Sequence, residues 1–326
     1  MVPSKPRARS PVRRAGAVLP LAILLAMSST GCSLRTLTVN ALADSLAASG
    51  EAFASDADPE LVRDALPFAL KTIESLIAEQ PRHEGLLLSA ASGFTQYAYA
   101  FLETDAELIA QDDFQKAREL RRRAVGLYLR GRDYGLRGLE LRHPGIGERL
   151  RREPRVAAGL LRKEDVPLLY WTAAAWGAAI SAGRDRPELV ADLPAVQALM
   201  ARGLVLEESF EQGAFHTAHI AMAALPVFLG GPSPEQAEEH FRRAIELSEG
   251  LQAGPYVTYA ESVALPAQER RRFEEALERA LAIDPDSAPS WRLANIITQR
   301  RARSLLDRAD DLFYGNDHEP AEERPE

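Results

Sequence analysis

The residues whose types and spacing come nearest to metal chemistry are histidines in the second half of the chain. His216 and His219 are three positions apart, so on a helix both side chains would lie on one face, as two zinc ligands do. Glu211 or His240 could supply a third ligand, and such a set would suit a metal-dependent hydrolase. Neither is at a diagnostic distance along the chain. We therefore expect no metal and no cofactor, and interpret His216 as a ligand- or partner-binding residue.

Arginines offer a second kind of chemistry, the recognition of anions. The stretch 118–142 holds eight of them, and a guanidinium group binds a carboxylate through paired N–H donors. Within LYLRGRDYG (127–135) we select Arg130, Arg132 and Tyr134 as candidates for holding an organic carboxylate. The alternative is a solvated helix face whose arginines pair with acidic neighbours.

A third group of candidates is aromatic and lies in LLYWTAAAWGAAIS (168–181), which carries no charge. Apolar or small residues all round a helix predict burial on every side. This stretch is shorter than the about 20 residues that cross a bilayer, so a protein core is the better burial site. We predict a central core helix with Trp176 clasped by its neighbours. Tyr170 and Trp171 are interpreted as core residues first and as walls of a binding pocket second.

The sequence lacks the motifs that announce catalysis. It has no nucleophile elbow, phosphate loop, paired catalytic carboxylates or dinucleotide fingerprint. We therefore expect that the protein is not an enzyme. The net charge is −8, and nucleic-acid binding requires the opposite sign.

The first part of the chain has the layout of an export signal. Basic residues precede an apolar run at 17–27, and the run leads to Thr30-Gly31-Cys32, which contains the chain's single cysteine. This resembles a bacterial lipobox, so we predict a lipoprotein signal peptide (1–31) and lipidation of Cys32. The alternative is an ordinary secretory signal and a free thiol. Ser33 stands where an Asp would favour inner-membrane retention, which favours the outer membrane.

Composition predicts the fold class. Hydrophobic residues make up 46% of the chain and charged residues 26%, which is ordinary for a soluble domain. Alanine, leucine and arginine, all strong helix formers, dominate. We predict one all-α domain (32–314) that faces the periplasm, followed by a disordered acidic tail (315–326). Glycines within 126–138 recur along one long predicted helix, which favours close packing there.

A repeated rhythm refines this fold. Small and bulky residues recur at steps of three and four, and a proline follows in two of the three places. The positions are Ala69, Ile73, Leu76 and Pro81; Ala237, Phe241 and Ala244; Phe273, Leu277, Ala280 and Pro285. These steps are typical of the second helix of a tetratricopeptide repeat, so we predict stacked helical hairpins.

Several segments together resemble a known family, the TatT component of TRAP transporters. They include DADPELVRDALPFALKTIESLIAEQP (56–81), LYLRGRDYGLRGLE (127–140), DVPLLYWTAAAWGAAIS (165–181), GAFH (213–216) and HFRRAIELSEG (240–250). The resemblance implies a periplasmic tetratricopeptide-like lipoprotein of a tripartite ATP-independent transport system. It also implies assembly into a homotrimer with a central passage, pairing with a periplasmic solute-binding protein, and binding of a small organic ligand. The alternative is a helical-repeat scaffold lipoprotein for envelope assembly without a transport role.

Overall fold

A computed structural model describes residues 50–314 and Met1, and every regular element among them is a helix. The predicted all-α class with stacked, tetratricopeptide-like helical hairpins is therefore confirmed. The predicted signal peptide (1–31), the predicted lipidation site Cys32 and the predicted tail (315–326) lie outside the described residues.

The first half of the described chain contains the longest helices. They are α1 (Gly50–Ala54), α2 (Pro59–Glu79), α3 (Glu84–Tyr97), α4 (Thr104–Leu108), α5 (Phe114–Glu140), α6 (Ile146–Arg152), α7 (Pro154–Gly159) and α8 (Val166–Ala182).

The second half continues with shorter helices. They are α9 (Pro187–Val190), α10 (Leu193–Leu206), α11 (Ala214–Met222), α12 (Pro234–Leu247), α13 (Ala253–Tyr259), α14 (Arg270–Ala282), α15 (Arg292–Asp307) and α16 (Ala309–Leu312). Two π-helical segments, Ala98–Glu103 and Ala260–Ala264, continue α3 and α13 respectively.

Local sequence signals explain where α2 begins. The Asp58 carboxylate accepts hydrogen bonds from the backbone N–H groups of Glu60 and Leu61 at 3.0 and 3.2 Å. Pro59 occupies the first turn, where a missing N–H costs nothing. The helix then continues through Pro67 to Glu79, so Pro67 does not end a separate lead-in turn.

Helix α8 is the centre of the packing, as its uncharged sequence predicts. Both α5 and α10 pack against it. Trp176 is fully buried and donates its Nε1–H to Asp192 Oδ2 at 3.2 Å. The core assignment of Trp176 is confirmed.

The glycines of α5 let this long helix approach its neighbours closely. A Cβ added at Gly135 would lie 2.2 Å from Thr172 Oγ1, and one at Gly138 would lie 2.5 Å from a Leu168 methyl. Gly131 is similarly crowded. Gly126 differs, because an added Cβ there would meet nothing within 4 Å. Close packing therefore explains three of these four glycines.

The positions of the predicted repeat coincide with buried residues in α12 and α14. In α2 the buried residues are offset from the predicted positions. Ala237 and Ala244 of α12, and Phe273, Leu277 and Ala280 of α14, are buried as predicted. In the second half of α2 the buried positions are instead Leu70, Ile73 and Ile77. Only Ile73 belongs to the predicted set, because the buried stripe of α2 is offset along the helix.

One described stretch, Pro187–Leu206, is long and apolar enough by composition to cross a membrane, with a mean hydropathy of 1.5. It is divided into α9 and α10. Val196, Leu199 and Met200 are buried in the same core cluster as Trp176. The buried residues of the stretch therefore belong to the core of the protein.

Candidate functional site

Two of the predicted binding residues, Arg130 and Tyr134, meet at one carboxylate. Arg130 Nε lies 2.8 Å from Glu74 Oε1, and the Tyr134 hydroxyl donates to the same oxygen at 2.8 Å. Both side chains also contact Phe94: the Arg130 guanidinium lies 5.1 Å from the ring centroid, and the Tyr134 ring stacks at 6.0 Å. Burial would raise the pKa of Glu74, but Lys71, Tyr134 and Arg130 together lower it. The Arg130 side chain remains 45% exposed.

Arg132 lies apart from this pair and packs on the central tryptophan. Its guanidinium is 5.4 Å from the Trp176 ring centroid, and that of Arg151 is 5.2 Å from it. Arg132 also donates to Asp133 Oδ1 at 2.7 and 2.9 Å and is only 13% exposed. Its positive charge is therefore already engaged by a carboxylate and an aromatic ring.

Tyr170 and Trp171 belong to an aromatic cluster at the N-terminal part of α8. Their rings meet edge to face at 5.2 Å, and Tyr170 contacts Phe210 and Phe215 at 5.3 Å each. Burial raises the pKa of Tyr170, so the phenol stays neutral. Both residues are half-buried.

A strained turn adjoins this cluster, and the sequence did not reveal it. Glu211 and Gln212 have φ angles of 46° and 53°, and Gly213 follows with 98°. Non-glycine residues rarely adopt this left-handed region, and such strain gathers at functional sites. The Gln212 side chain accepts a hydrogen bond from Gln252 Nε2 at 3.1 Å, which ties the turn to the residue before α13.

His216 lies directly after this turn in a chain of hydrogen bonds. Its Nε2 is 3.0 Å from Glu208 Oε1, and its Nδ1 is 2.8 Å from Nδ1 of His240. Bidentate Arg243 and then His216 lower the pKa of Glu208 to about 2, so Glu208 only accepts. His216 must donate from Nε2 and, while neutral, accept at Nδ1 the proton of His240. These two bonds therefore fix both tautomers.

His219 completes a group of three rings. It stacks on His240 with centroids 4.6 Å apart and bonds the Phe215 carbonyl through Nδ1 at 2.7 Å. Burial lowers the pKa of each histidine, that of His240 to about 4. In the part of the chain that the structure describes, no three His, Cys, Asp or Glu side chains are grouped as metal ligands. The carboxylate at His216 is Glu208, not the predicted Glu211.

A cluster of charged side chains elsewhere was missed altogether. Arg301 Nη1 lies 2.6 Å from Glu107 Oε2, and its Nη2 lies 2.8 Å from Glu261 Oε1. Nearby, the Tyr128 hydroxyl donates to Glu103. The three carboxylates come from α4 and the two π-helical segments, and π-helical turns are frequent at functional sites. These residues are far apart in sequence, so spacing could not group them; isolated glutamates after apolar runs were the available signal.

Glu103 and Glu107 of this cluster hold protons more tightly than ordinary carboxylates do. Burial raises the pKa of Glu107 to about 7 and also raises that of Glu103. Burial opposes the charge of Arg301, but Tyr99 and the glutamates raise its pKa overall. Glu107 and Glu261 thus share the Arg301 guanidinium, and Glu107 can take up or release a proton near neutral pH.

A cleft of about 300 Å³ opens beside α4, lined in part by Arg63, Tyr97, Phe101, Asp105 and Arg123. Arg63 forms two hydrogen bonds with Asp105, at 2.5 and 2.9 Å, and lies 5.1 Å from the Phe101 centroid. The Arg63 charge is therefore neutralised within the protein, and Arg123 is the cleft's remaining cation.

Comparisons with known proteins agree over nearly the whole described chain. The family described as TRAP transporter T-component matches residues 55–313. An uncharacterized protein of Treponema pallidum (strain Nichols) is 33% identical over 302 residues, which cover 87% of this chain and 93% of that protein. The match includes both arginine-bearing α5 and the histidine-bearing α11. The chain therefore belongs to the TRAP transporter T-component family.

Proposed function

We propose that this chain is the accessory lipoprotein of a TRAP uptake system and that it binds the system's periplasmic solute-binding protein and a small organic ligand. The observation that carries the proposal is the family match over residues 55–313. A component of a three-part uptake system must contact another component to act. A solute-binding protein is the partner that shares the periplasm with a lipid-anchored domain.

The proposal includes a cellular location for the protein. Acyl chains on Cys32 would hold the domain at a membrane surface with its folded part in the periplasm. Ser33 after the cysteine favours the outer membrane. We include assembly into a homotrimer, which analytical ultracentrifugation of the purified protein would test.

We place ligand or partner contact at the candidates that keep accessible surface. Arg130 is the foremost, since it is 45% exposed and sits with Tyr134 on Glu74. Tyr170 and Trp171 form a second, aromatic surface. His216 is buried, so we expect it to act on a partner through its hydrogen-bond partner Glu208. Arg132 is less accessible than Arg130, because its guanidinium packs on Trp176. The His216 side chain is the least accessible of the set, at 7% exposed.

Affinity capture tests the proposal. The tagged full chain is recovered from detergent-solubilised membranes of its own host, and the bound proteins are identified by mass spectrometry. We expect a TRAP solute-binding protein, and a weaker yield of it with Arg130→Ala than with Arg155→Ala, an exposed arginine of α7. Recovery of envelope-assembly or peptidoglycan proteins alone would favour the scaffold alternative.

A further inference from the structure

A basic groove lies between the first half of α5 and the turn after α8. Its volume is about 230 Å³. Four arginines and two small apolar residues form part of its lining: Arg118, Arg121, Arg122, Arg186, Val125 and Ala182. The groove is separate from Arg130, from the histidines and from the cleft beside α4.

The spacing of these residues is unusual for a helix that packs on another. Arg118, Arg121, Arg122 and Val125 occupy positions i, i+3, i+4 and i+7 of one face of α5. That pattern normally carries the apolar stripe that a helix buries against its neighbour. Here three of its four positions hold charges, at a place where α5 faces the end of α8.

The four arginines are not used in the ion pairs that occupy many others in this protein. Within residues 50–314, none of the four has a carboxylate oxygen within ion-pair distance or a side-chain hydrogen bond. Arg121 acts on Glu103 and Glu107 only at longer range, where its charge opposes, without cancelling, the rise in pKa that burial causes. Four positive charges gathered without partners repel one another, and a bound anion would remove this cost.

The arginines neither cap the C-terminus of α8 nor form ion pairs with Asp185. Cations near a helix C-terminus can hydrogen-bond its last carbonyls, but the described contacts include no such bond from these side chains to α8. That end is closed by the Gly183 N–H, which donates to the Ala179 carbonyl at 3.0 Å. Asp185 lines the groove but forms no ion pair with the arginines, so one carboxylate at longer range offsets only part of their charge.

We propose that this groove binds a small organic anion with two or more negative charges. The guanidinium groups hold the anionic ends through paired N–H donors, while Val125 and Ala182 contact the apolar part between them. Phe114, which lines the groove and is 61% exposed, covers the ligand from the start of α5. Binding at this site is independent of pairing with a solute-binding protein, since the chain alone supplies every contact.

Isothermal titration of the purified full chain with citrate, at constant ionic strength, tests the site. We expect saturable binding that weakens at least about tenfold in the double variant Arg118→Gln/Arg122→Gln, since that variant loses charge-assisted hydrogen bonds to the anion. Both side chains are exposed, so the variant should melt like the wild type. Arg155→Gln removes an exposed arginine from α7 and should leave the affinity unchanged.

A second arm distinguishes a soluble anion from a lipid headgroup. The same proteins are mixed with vesicles of phosphatidylcholine alone or with cardiolipin, whose headgroup carries two phosphates. Cardiolipin binding that competes with citrate and is lost in the double variant would support the site with a headgroup as ligand. Citrate binding alone would support it with a soluble ligand. The proposal is overturned if neither probe binds saturably, or if both bind the double variant as they bind the wild type.

Discussion

Gly135 of α5 lies so close to Thr172 of α8 that an added Cβ would be 2.2 Å from Thr172 Oγ1. The Thr172 hydroxyl cannot easily move away, because it is buried and donates to the Leu168 carbonyl. The contact sets the distance between the two helices at the centre of the fold.

The first prediction follows from this contact. Gly135→Ala should lower the free energy of unfolding by about 1–3 kcal/mol, because overpacking a tight interface outweighs the gain in helix propensity. Gly126→Ala is the matched control in the same helix. It meets nothing within 4 Å and should stabilise the protein by up to about 1 kcal/mol. Equal effects of the two substitutions in denaturant unfolding would contradict the packing argument.

The raised pKa of Glu107 gives a pH-dependent prediction. Its folded pKa of about 7 exceeds the ordinary value of 4.5, so the folded state binds the extra proton and loses stability as the pH rises between these values. Glu107→Gln mimics the protonated form. Between pH 5 and pH 8, we expect the free energy of unfolding of this variant to rise by about 1–3 kcal/mol relative to that of the wild type. Solvent screening favours a value near the lower limit of this range.

The control for this prediction is Glu119→Gln, which changes an exposed carboxylate of α5. Its melting temperature relative to the wild type should be the same at both pH values. If Glu107→Gln behaves like this control, the carboxylate does not hold its proton in the folded protein.

The histidine group predicts the opposite trend in acid. Burial first, then the neighbouring His219 and His216, lower the pKa of His240 to about 4. Unfolded histidines bind protons below about pH 6.5, so the stability contributed above that value is lost as the pH falls toward 4. Between pH 7 and pH 5, the free energy of unfolding of His240→Phe should fall by about 1–2 kcal/mol less than that of the wild type, allowing for solvent screening. Identical losses in thermal melts would show that His240 is not responsible.

Cys32 gives a prediction about the anchor. Cys32→Ser should abolish acylation and move the protein from the membrane fraction to the soluble fraction, because Cys32 is the sole thiol of the chain. Fractionation followed by immunoblotting measures this, with the wild type as the control. A variant that stays in the membrane fraction at high salt would show that something other than the lipid holds it.

The sequence predicts what depends on local signals and misses what depends on long-range packing. The cap at Asp58, the start at Pro59 and the burial of Trp176 all follow from residues within a few positions of each other. By contrast, Arg301 meets Glu107 across 194 residues, and no local pattern links them.

The candidate sites show the same division. Of the three candidates predicted within 127–135, Arg130 and Tyr134 share Glu74, whereas Arg132 packs on Trp176. The shared partner on α2 could not be chosen from several acidic residues. The left-handed backbone at Glu211 was also beyond reach, because neither Glu211 nor Gln212 is a residue that favours it.

The measurement that tests the account most directly is binding between two purified proteins, this chain and the solute-binding protein of its own TRAP system, followed by isothermal titration. The account predicts saturable binding of the solute-binding protein to the wild-type chain and weaker binding to its Arg130→Ala variant. The wild type and the variant should have equal melting temperatures. The absence of binding by a correctly folded wild-type chain, with and without solute on the binding protein, would contradict the proposed pairing.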